Sequence, residues 1–347
     1  MFYIRQSSCI SPQQSFGEKD INVLAEPADN KLKAIEPSYD SIPPALLRRM
    51  GTAIRLGIGA ALPMLKNSEP VNGIIIGTSK GGMEDSIKFL NQIVQYEEGV
   101  LAPGNFVQST TNAIAGQLGL LTHNNGYNIT HTQRGLSFEM ALIDAAMRLK
   151  EFPGHRYLLG GVDEISSFNH NLERLDGAYK SDPVDSRNFY TLDTPGSVAG
   201  EGAAMFLVDN DAAGAIAELK ALGIQPTADI TTLSTRLQQF LHDHLPPGET
   251  IDLLISGENG DNRFTPYYET AERLIPPATA VARFKHMTGE YPTASAIALW
   301  LAAEILQTQH IPEHMIKRAG NTSYKHILIY NNFKGKQHGW MLVSRPS

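Results

Sequence analysis

The sequence predicts an α/β protein built from two repeated halves, and three observations point there. Apolar runs of strand length, such as Gly73–Gly77 (GIIIG) and Ile251–Ser256, lack the alternation of a half-exposed strand; a strand covered on both faces reads this way. These runs alternate with segments of helical length and spacing, the pattern of largely parallel sheets sandwiched by helices. The series then begins again beyond Asn210, as a degenerate duplication would, which gives halves 1–210 and 211–347.

In chain order, Phe2–Ile10 reads as a strand, and Ser11–Tyr39, polar and carrying Pro12, Pro27 and Pro37, as an excursion over the surface. Leu46, Leu47, Met50, Ile54, Leu56 and Ile58 recur at helical spacing over Pro44–Leu65, with Pro63 and Lys66 marking the end. After the strand Gly73–Gly77 a glycine-containing turn, TSKGG, leads into a helix over Met83–Val94. Helical spacing over Phe106–Leu121, a short strand Tyr127–His131, a long helix Gly135–Lys150 and strands Arg156–Gly161 and Gly202–Val208 complete the first series. The second holds strands near Ala215–Leu222 and Ile251–Ser256, helices Thr231–His242 and Ala294–Thr308, and a terminal strand pair Ile327–Asn331 and Gly339–Ser344.

Composition narrows the function. A chain of 347 residues buries roughly three quarters of its unfolded surface and needs no disulfide or metal staple. Its 29 Lys and Arg against 36 Asp and Glu, a formal charge of −7 without long single-sign runs, lack the basic face of a nucleic-acid binder. The single cysteine, Cys9, excludes an internal disulfide and fits a reducing cytoplasm; it reads as a small buried apolar residue. The apolar stretches Ala53–Leu65 and Ala294–Leu306 fall short of a membrane span and contain Arg55 and Glu304, and MFYIRQSSCIS has no signal-peptide core. His242 and His244, without a third ligand nearby, read as a solvated helix end, and Gly77–Gly82 lacks the Gly-Lys-Ser/Thr ending of a phosphate loop. Neither a metal nor a cofactor is expected.

Eight stretches then occur in one order along nearly the whole chain: PPALLRRM (Pro43–Met50), IIIGTSKGGMED (Ile74–Asp85), FVQSTTNAIAGQLGL (Phe106–Leu120), YNIT (Tyr127–Thr130), LLGGVDEI (Leu158–Ile165), DTPGSVAGEGAAMFLV (Asp193–Val208), RFKHMTGEYPTASA (Arg283–Ala296) and NNFKGKQHG (Asn331–Gly339). As a set they resemble the β-ketoacyl-acyl carrier protein synthases of the thiolase-fold superfamily. The resemblance implies a thiolase-like five-layer αβαβα fold and a two-fold dimer. The activity it implies is carbon–carbon bond formation, by a cysteine at a helix start assisted by two histidines.

None of the three catalytic positions keeps its residue. With YNIT leading into the nucleophile turn, Gln133 stands at the cysteine position, and an amide cannot accept an acyl group there; a slip of one residue to Thr132 or Arg134 supplies no thiolate either. Glu258 and Glu290 stand at the two histidine positions, where an ionised carboxylate repels an oxyanion instead of stabilising it. A protonated glutamate could donate, but only with its pKa raised by burial. His286, four positions before Glu290, reads as structural. Two carboxylates in the old pocket need pairing, so an ion-pair plug with Arg134 and Lys285 is expected, with Arg134 at the dimer interface as the alternative.

The pattern therefore resembles the non-condensing chain-length-factor subunits of polyketide systems, and more closely the short synthase-like subunits of aryl polyene and flexirubin pigment clusters. Such a subunit pairs with an active β-ketoacyl synthase, helps shape the tunnel that limits chain length, and has an acyl carrier protein as a further partner. The alternatives are a malonyl-acyl carrier protein decarboxylase, whose known relatives keep both histidines, and a homodimeric acyl or carrier-protein scaffold. The resemblance further implies that Tyr127, Asn128, Ile129 and Thr130 pair across the two-fold axis, that Phe106–Leu121 adds apolar interface, that Glu201 braces the nucleophile helix, and that Phe333 gates the pocket. Arg48, Arg49, Lys317 and Arg318 are candidate contacts for an acidic carrier helix.

Overall fold

The computed structural model describes residues 1–40, 42–66, 68–101 and 103–346. The first series comprises β1 (Phe2–Ile10), β2 (Lys31–Leu32), α1 (Pro44–Leu47), α2 (Thr52–Lys66), β3 (Gly73–Gly77), α3 (Met83–Gln95), α4 (Pro103–Gln108) and α5 (Ala113–Thr122). It continues with β4 (Tyr127–His131), α6 (Ser137–Glu151), β5 (Tyr157–Asp163), α7 (Ser167–Leu175), β6 (Ala199–Gly200) and β7 (Gly202–Asp209). The second comprises β8 (Ala217–Pro226), α8 (Ile230–His244), β9 (Leu253–Ser256), α9 (Thr265–Arg273), β10 (Ala280–Arg283) and α10 (Lys285–Thr288). It ends with α11 (Ser295–Thr308), β11 (Ile316–Arg318), β12 (His326–Phe333) and β13 (Gln337–Ser344).

Among the described residues, eleven strands form one sheet in the order β11-β10-β9-β12-β13-β8-β1-β7-β5-β3-β4. The order β4-β3-β5-β7-β1 recurs as β10-β9-β12-β13-β8, with the same pattern of parallel and antiparallel neighbours. The fold is thus two copies of one motif, joined where Phe2, Tyr3 and Ile4 pair with Leu219, Glu218 and Ala217.

Alternation across each strand sorts the apolar residues into layers. Ile75 and Leu159 face α6 and α11, whereas Ile74, Ile76 and Leu158 face α2 and α5. In the second copy Leu253 and Ile255 face the same central helices, and Leu254 and Leu328 face α8 and α9. Five layers result, αβαβα, the thiolase-like arrangement the motifs implied. Helix α11 is apolar all round, as a helix between two sheets must be; each of Leu299, Trp300, Leu301 and Ile305, at 2% exposure or less, contributes roughly 2 kcal/mol of burial.

The structure corrects several boundaries. Pro44–Leu65 is two helices, broken before Thr52, and Pro63 lies inside the last turn of α2 without ending it. Phe106–Leu121 falls into α4 and α5. Helices α7 and α9 and strand β10 are additional to the sequence reading, as are the short β2, β6, α10 and β11; α7, SFNHNLERL, is mostly polar, its Phe168, Leu172 and Leu175 recur at helical spacing but stay exposed, and its N-cap Ser166 accepts from the Asn169 amide. Among the described residues, no helix is long and apolar enough to cross a membrane.

Candidate functional site

Strand β4 delivers the chain to the turn that carries Gln133. Gln133 is exposed, and Arg134 after it is held in the left-handed region at φ 51°, a conformation costly for a residue with a side chain. The turn is fixed from both sides. The Gln133 amide donates to Ser137 Oγ (2.8 Å), which donates to the Arg134 carbonyl (2.8 Å). From β13, Gln337 accepts from the Gly135 amide (3.0 Å) and donates to the Gln133 carbonyl (3.2 Å). Gly135 is required here, because a Cβ on it would lie 2.2 Å from Phe333 Cβ. Phe333 thus packs on the start of α6 and also lines the adjoining cavity.

The two glutamates sit on separate supports. Glu290 follows Gly289, itself at φ 71°, and is paired in the backbone with β6: its amide donates to Val198 (2.7 Å), and its carbonyl accepts from Gly200 (3.2 Å). Its carboxylate takes Lys285 Nζ at 2.8 Å and Asn259 Nδ2 at 2.8 Å, with the Lys285 side chain wholly buried. Glu258 lies just beyond β9. The parallel register Ser256↔Arg283 and the antiparallel pairing of β10 with β11 bring Arg283 and Lys317 to it, at 3.1 and 2.6 Å. Lys317 also bonds Glu272 (2.7 Å), and the Arg283 guanidinium lies 3.6 Å from the Tyr190 ring centre.

The expected plug therefore takes another form. Lys285 pairs with Glu290, but Glu258 is neutralised by Arg283 and Lys317, and Arg134 makes no ion pair among the described residues. The reason is local: the turn Arg134–Leu136 buries Gly135 and Leu136 and leaves Arg134 outside. Gln133 is likewise not brought to the glutamates; Phe333 lies between its turn and the cavity that Glu290 lines.

The cavity over Glu290 is lined by Asn259, Tyr179, Tyr291, Phe264, Phe333 and charged pairs, Lys80 with Glu173 (2.7 Å) and Lys334 with Asp176 (3.2 Å). It holds about 90 Å³, room for a handful of ordered waters. Lys334 and Gly335, both at positive φ, make the tight β12–β13 hairpin turn at its rim. Glu201 has a different brace from the one expected: its carboxylate accepts from the Ala34 (3.1 Å) and Ile165 (2.9 Å) amides, tying the N-terminal excursion to the end of β5 and not to α6. Cys9 is 1% exposed, and burial pushes its thiol up to about 12, which disqualifies it as a nucleophile.

Sequence reasoning assigned no role to three residues. Arg283 neutralises Glu258, and Gln337 clamps the Gln133 turn. Glu139, on the first turn of α6, is fully buried with both carboxylate oxygens unpartnered; burial pushes its pKa up to about 7. His286 is structural as expected: buried, with Nδ1 at 3.2 Å from the Tyr190 hydroxyl and Nε2 at 2.9 Å from His314 Nδ1, and held down to about 3 by burial first and then by His314 and Arg283. No group of metal-ligating side chains occurs among the described residues.

Comparison with known proteins places this arrangement. Residues 24–166 match the family described as Beta-ketoacyl synthase, N-terminal domain. No curated protein matches the chain. Among solved structures it is similar to a beta-ketoacyl synthase from Burkholderia phymatum, with 16% identity, a TM-score of 0.76 and 99% of each chain covered. It is also similar to a chain of the ketosynthase ApeO in complex with its chain length factor ApeC from Xenorhabdus doucetiae (13%, 0.76, covering 99% and 98%) and to one of the ishigamide ketosynthase/chain length factor (13%, 0.77, covering 100% and 99%). The chain has the thiolase-like ketosynthase fold over its whole length, and its residues 24–166 are similar to the beta-ketoacyl synthase N-terminal domain.

Proposed function

We propose that this chain is a non-condensing subunit of the chain-length-factor type. In this reading it pairs with an active, cysteine-bearing β-ketoacyl synthase and helps set product length in the assembly of a polyketide or an aryl polyene or flexirubin-like pigment. The observation that carries the reading is the state of the three catalytic positions. Gln133 offers no nucleophile, and Glu258 and Glu290 are ion-paired carboxylates that accept hydrogen bonds where an oxyanion needs donors. The cavity that Glu290 lines, at about 90 Å³, is too small for an extended acyl chain.

Support for a partner comes from the sheet edge. Strand β4 pairs only with β3 and leaves its outer edge open, with Tyr127, Asn128, Ile129 and Thr130 half-buried. Leu120, on the helix α5 that packs beside β4, is more than half exposed, as are Val94, Phe106 and Val107 on the packed pair α3 and α4. An obligate interface there would bury above about 2,000 Å². Arg48 and Arg49 remain for an acidic carrier protein, because Lys317 is committed to Glu258 and Glu272. The two halves meet near Asn210 in this reading, and the protein works in the cytoplasm without a cofactor.

The test is co-expression with the cysteine-bearing synthase encoded nearest to it, purification through a tag on this chain alone, and light scattering. A stable 1:1 complex is expected. A well-behaved homodimer that ignores the synthase overturns the reading in favour of a scaffold, and carrier-dependent release of carbon dioxide by the chain alone overturns it in favour of a decarboxylase.

A further inference from the structure

Beside the degenerate site, a second cavity carries more positive charge than its one carboxylate, Asp29, balances. It is walled by the turn from Pro27 to Lys31, by α7 and by the segment from Tyr179 to Val184, and encloses about 410 Å³. The turn places Asp29 and Asn30 at φ 52° and 54°, and Ala28 and Lys31 close it with two backbone hydrogen bonds of 3.0 Å. Asn30 fastens it to the opposite wall: Nδ2 donates to the carbonyls of Lys180 (2.9 Å) and Asp182 (2.8 Å), and Oδ1 accepts from the Val184 amide (2.9 Å). The walls are cross-braced, so the cavity is a built feature.

Three cations and one carboxylate, Lys31, Arg174, Lys180 and Asp29, line it, on a chain whose formal charge is −7. Lys180 is occupied structurally, its ammonium held by the carbonyls of Leu192, Thr194 and Gly260 and by Thr194 Oγ1 at 2.8–3.3 Å. Lys31 and Arg174 make no ion pair among the described residues. His170 lines the same cavity at 6% exposure, stacked on Tyr179 at 4.9 Å and 11°, and its Nε2 has no hydrogen-bond partner. Arg174 is exposed and Lys31 half-buried, so both are left to solvent; the buried, unpartnered ring nitrogen is the costly group, and an anion in the cavity would serve all three.

We propose that this cavity binds a compact dianion of the phosphate-monoester class, with Arg174 and Lys31 supplying the charge-assisted hydrogen bonds and His170 a third donor. Arginine's planar fork and the lysine ammonium match phosphate oxygens. Burial first, then Lys31 and Arg174, hold the His170 imidazole below its ordinary value against the opposing pull of Glu173 and of the neighbouring Asn171 side chain, which also lines the cavity. Lys180 and Asp29 also line the site, and the Tyr179 ring covers one face of the imidazole. An arriving dianion reverses that field, so His170 takes up a proton on binding and affinity rises as pH falls. The inference does not depend on any partner subunit.

Calorimetric titration of the full chain tests it. Inorganic phosphate and glycerol 3-phosphate are compared at about pH 8, and sulfate, whose own charge is constant, at about pH 6 and about pH 8. One saturable site is expected. Lys31→Ala and Arg174→Ala should each weaken phosphate about tenfold, and Asp29→Asn should strengthen it. Sulfate should bind tighter at the lower pH, a difference lost in His170→Phe, which keeps the ring on Tyr179. Equal affinity for the two phosphates assigns the site to the phosphoryl group alone, and tighter glycerol 3-phosphate to a small phosphorylated molecule; either supports the proposal. No saturation at millimolar phosphate, or undiminished binding by the Lys31→Ala/Arg174→Ala variant, overturns it, and a pH-independent sulfate affinity overturns the role of His170.

Discussion

The cost of a buried charge decides which partners Lys285 and Glu290 can have. Lys285 is fully buried and its partner Glu290 nearly so, and removal of one leaves the other stranded. Lys285→Met should therefore lower the unfolding free energy by about 3 kcal/mol or more, with Lys285→Met/Glu290→Gln recovering much of the loss. Equal losses in the single and double variants, in urea unfolding followed by circular dichroism, would show that the pair is not coupled. Glu139 gives a pH signature. Its carboxyl is raised by burial to about 7 from an ordinary 4.5, so between those values the folded chain holds a proton that the unfolded chain has released. Stability then falls as pH rises through that window, by on the order of 3 kcal/mol, and levels off above it. Glu164, whose carboxyl burial also raises to about 7, adds a slope of its own in this window, so Glu139→Gln should remove only the Glu139 share; unfolding curves of the two proteins across the window measure that difference directly, and parallel curves refute the assignment.

Buried polar residues hold neighbouring elements in register around the site. Asp163, at the end of β5, accepts from the amides of Ser79 (2.9 Å) and Lys80 (2.6 Å), from Thr78 Oγ1 (3.1 Å), and from the amide and Oγ1 of Thr293 (3.1 and 2.9 Å) just before α11. One carboxylate thus joins the turn after β3, the end of β5 and the entry to the central helix. Asp163→Ala leaves these buried donors unsatisfied and should cost about 3 kcal/mol or more. Amide exchange at Ser79, Lys80 and Thr293 should accelerate before the rest of the chain; uniform acceleration would mean that the residue supports the whole core and not this junction. Gln337 does the same on a smaller scale, since it alone connects β13 to both sides of the Gln133 turn.

For the whole molecule, the open edge of β4 and the apolar residues around it are the unfinished surface. Leu120 is 71% and Val107 57% exposed, so carboxylates there disturb no core. Leu120→Asp and Val107→Asp should each weaken association with the synthase about tenfold or more while the thermal unfolding midpoint of the isolated chain stays unchanged. Unaltered association, measured by light scattering of the co-purified proteins, would move the interface elsewhere.

The order of strands and helices, the repeat and the motif series were legible in the sequence because they rest on local properties: unbroken apolar runs such as Gly73–Gly77, helical spacing, and short stretches read in order. The sequence also offers no thiol near Gln133, which is the ground for the proposed loss of a nucleophile there. What the sequence did not reveal is pairing at a distance. Arg283 lies next to Lys285 and within reach of either glutamate by sequence alone; the register of β9, β10 and β11 gave Glu258 to Arg283 and Lys317, and the one-turn helix α10 gave Glu290 to Lys285. Polar helix α7 escaped notice because it has no apolar face toward the core, only a cap and tertiary neighbours. Composition and periodicity are properties of the chain and fix layers, whereas the partner of a charge depends on which strands lie side by side, which only the folded sheet decides.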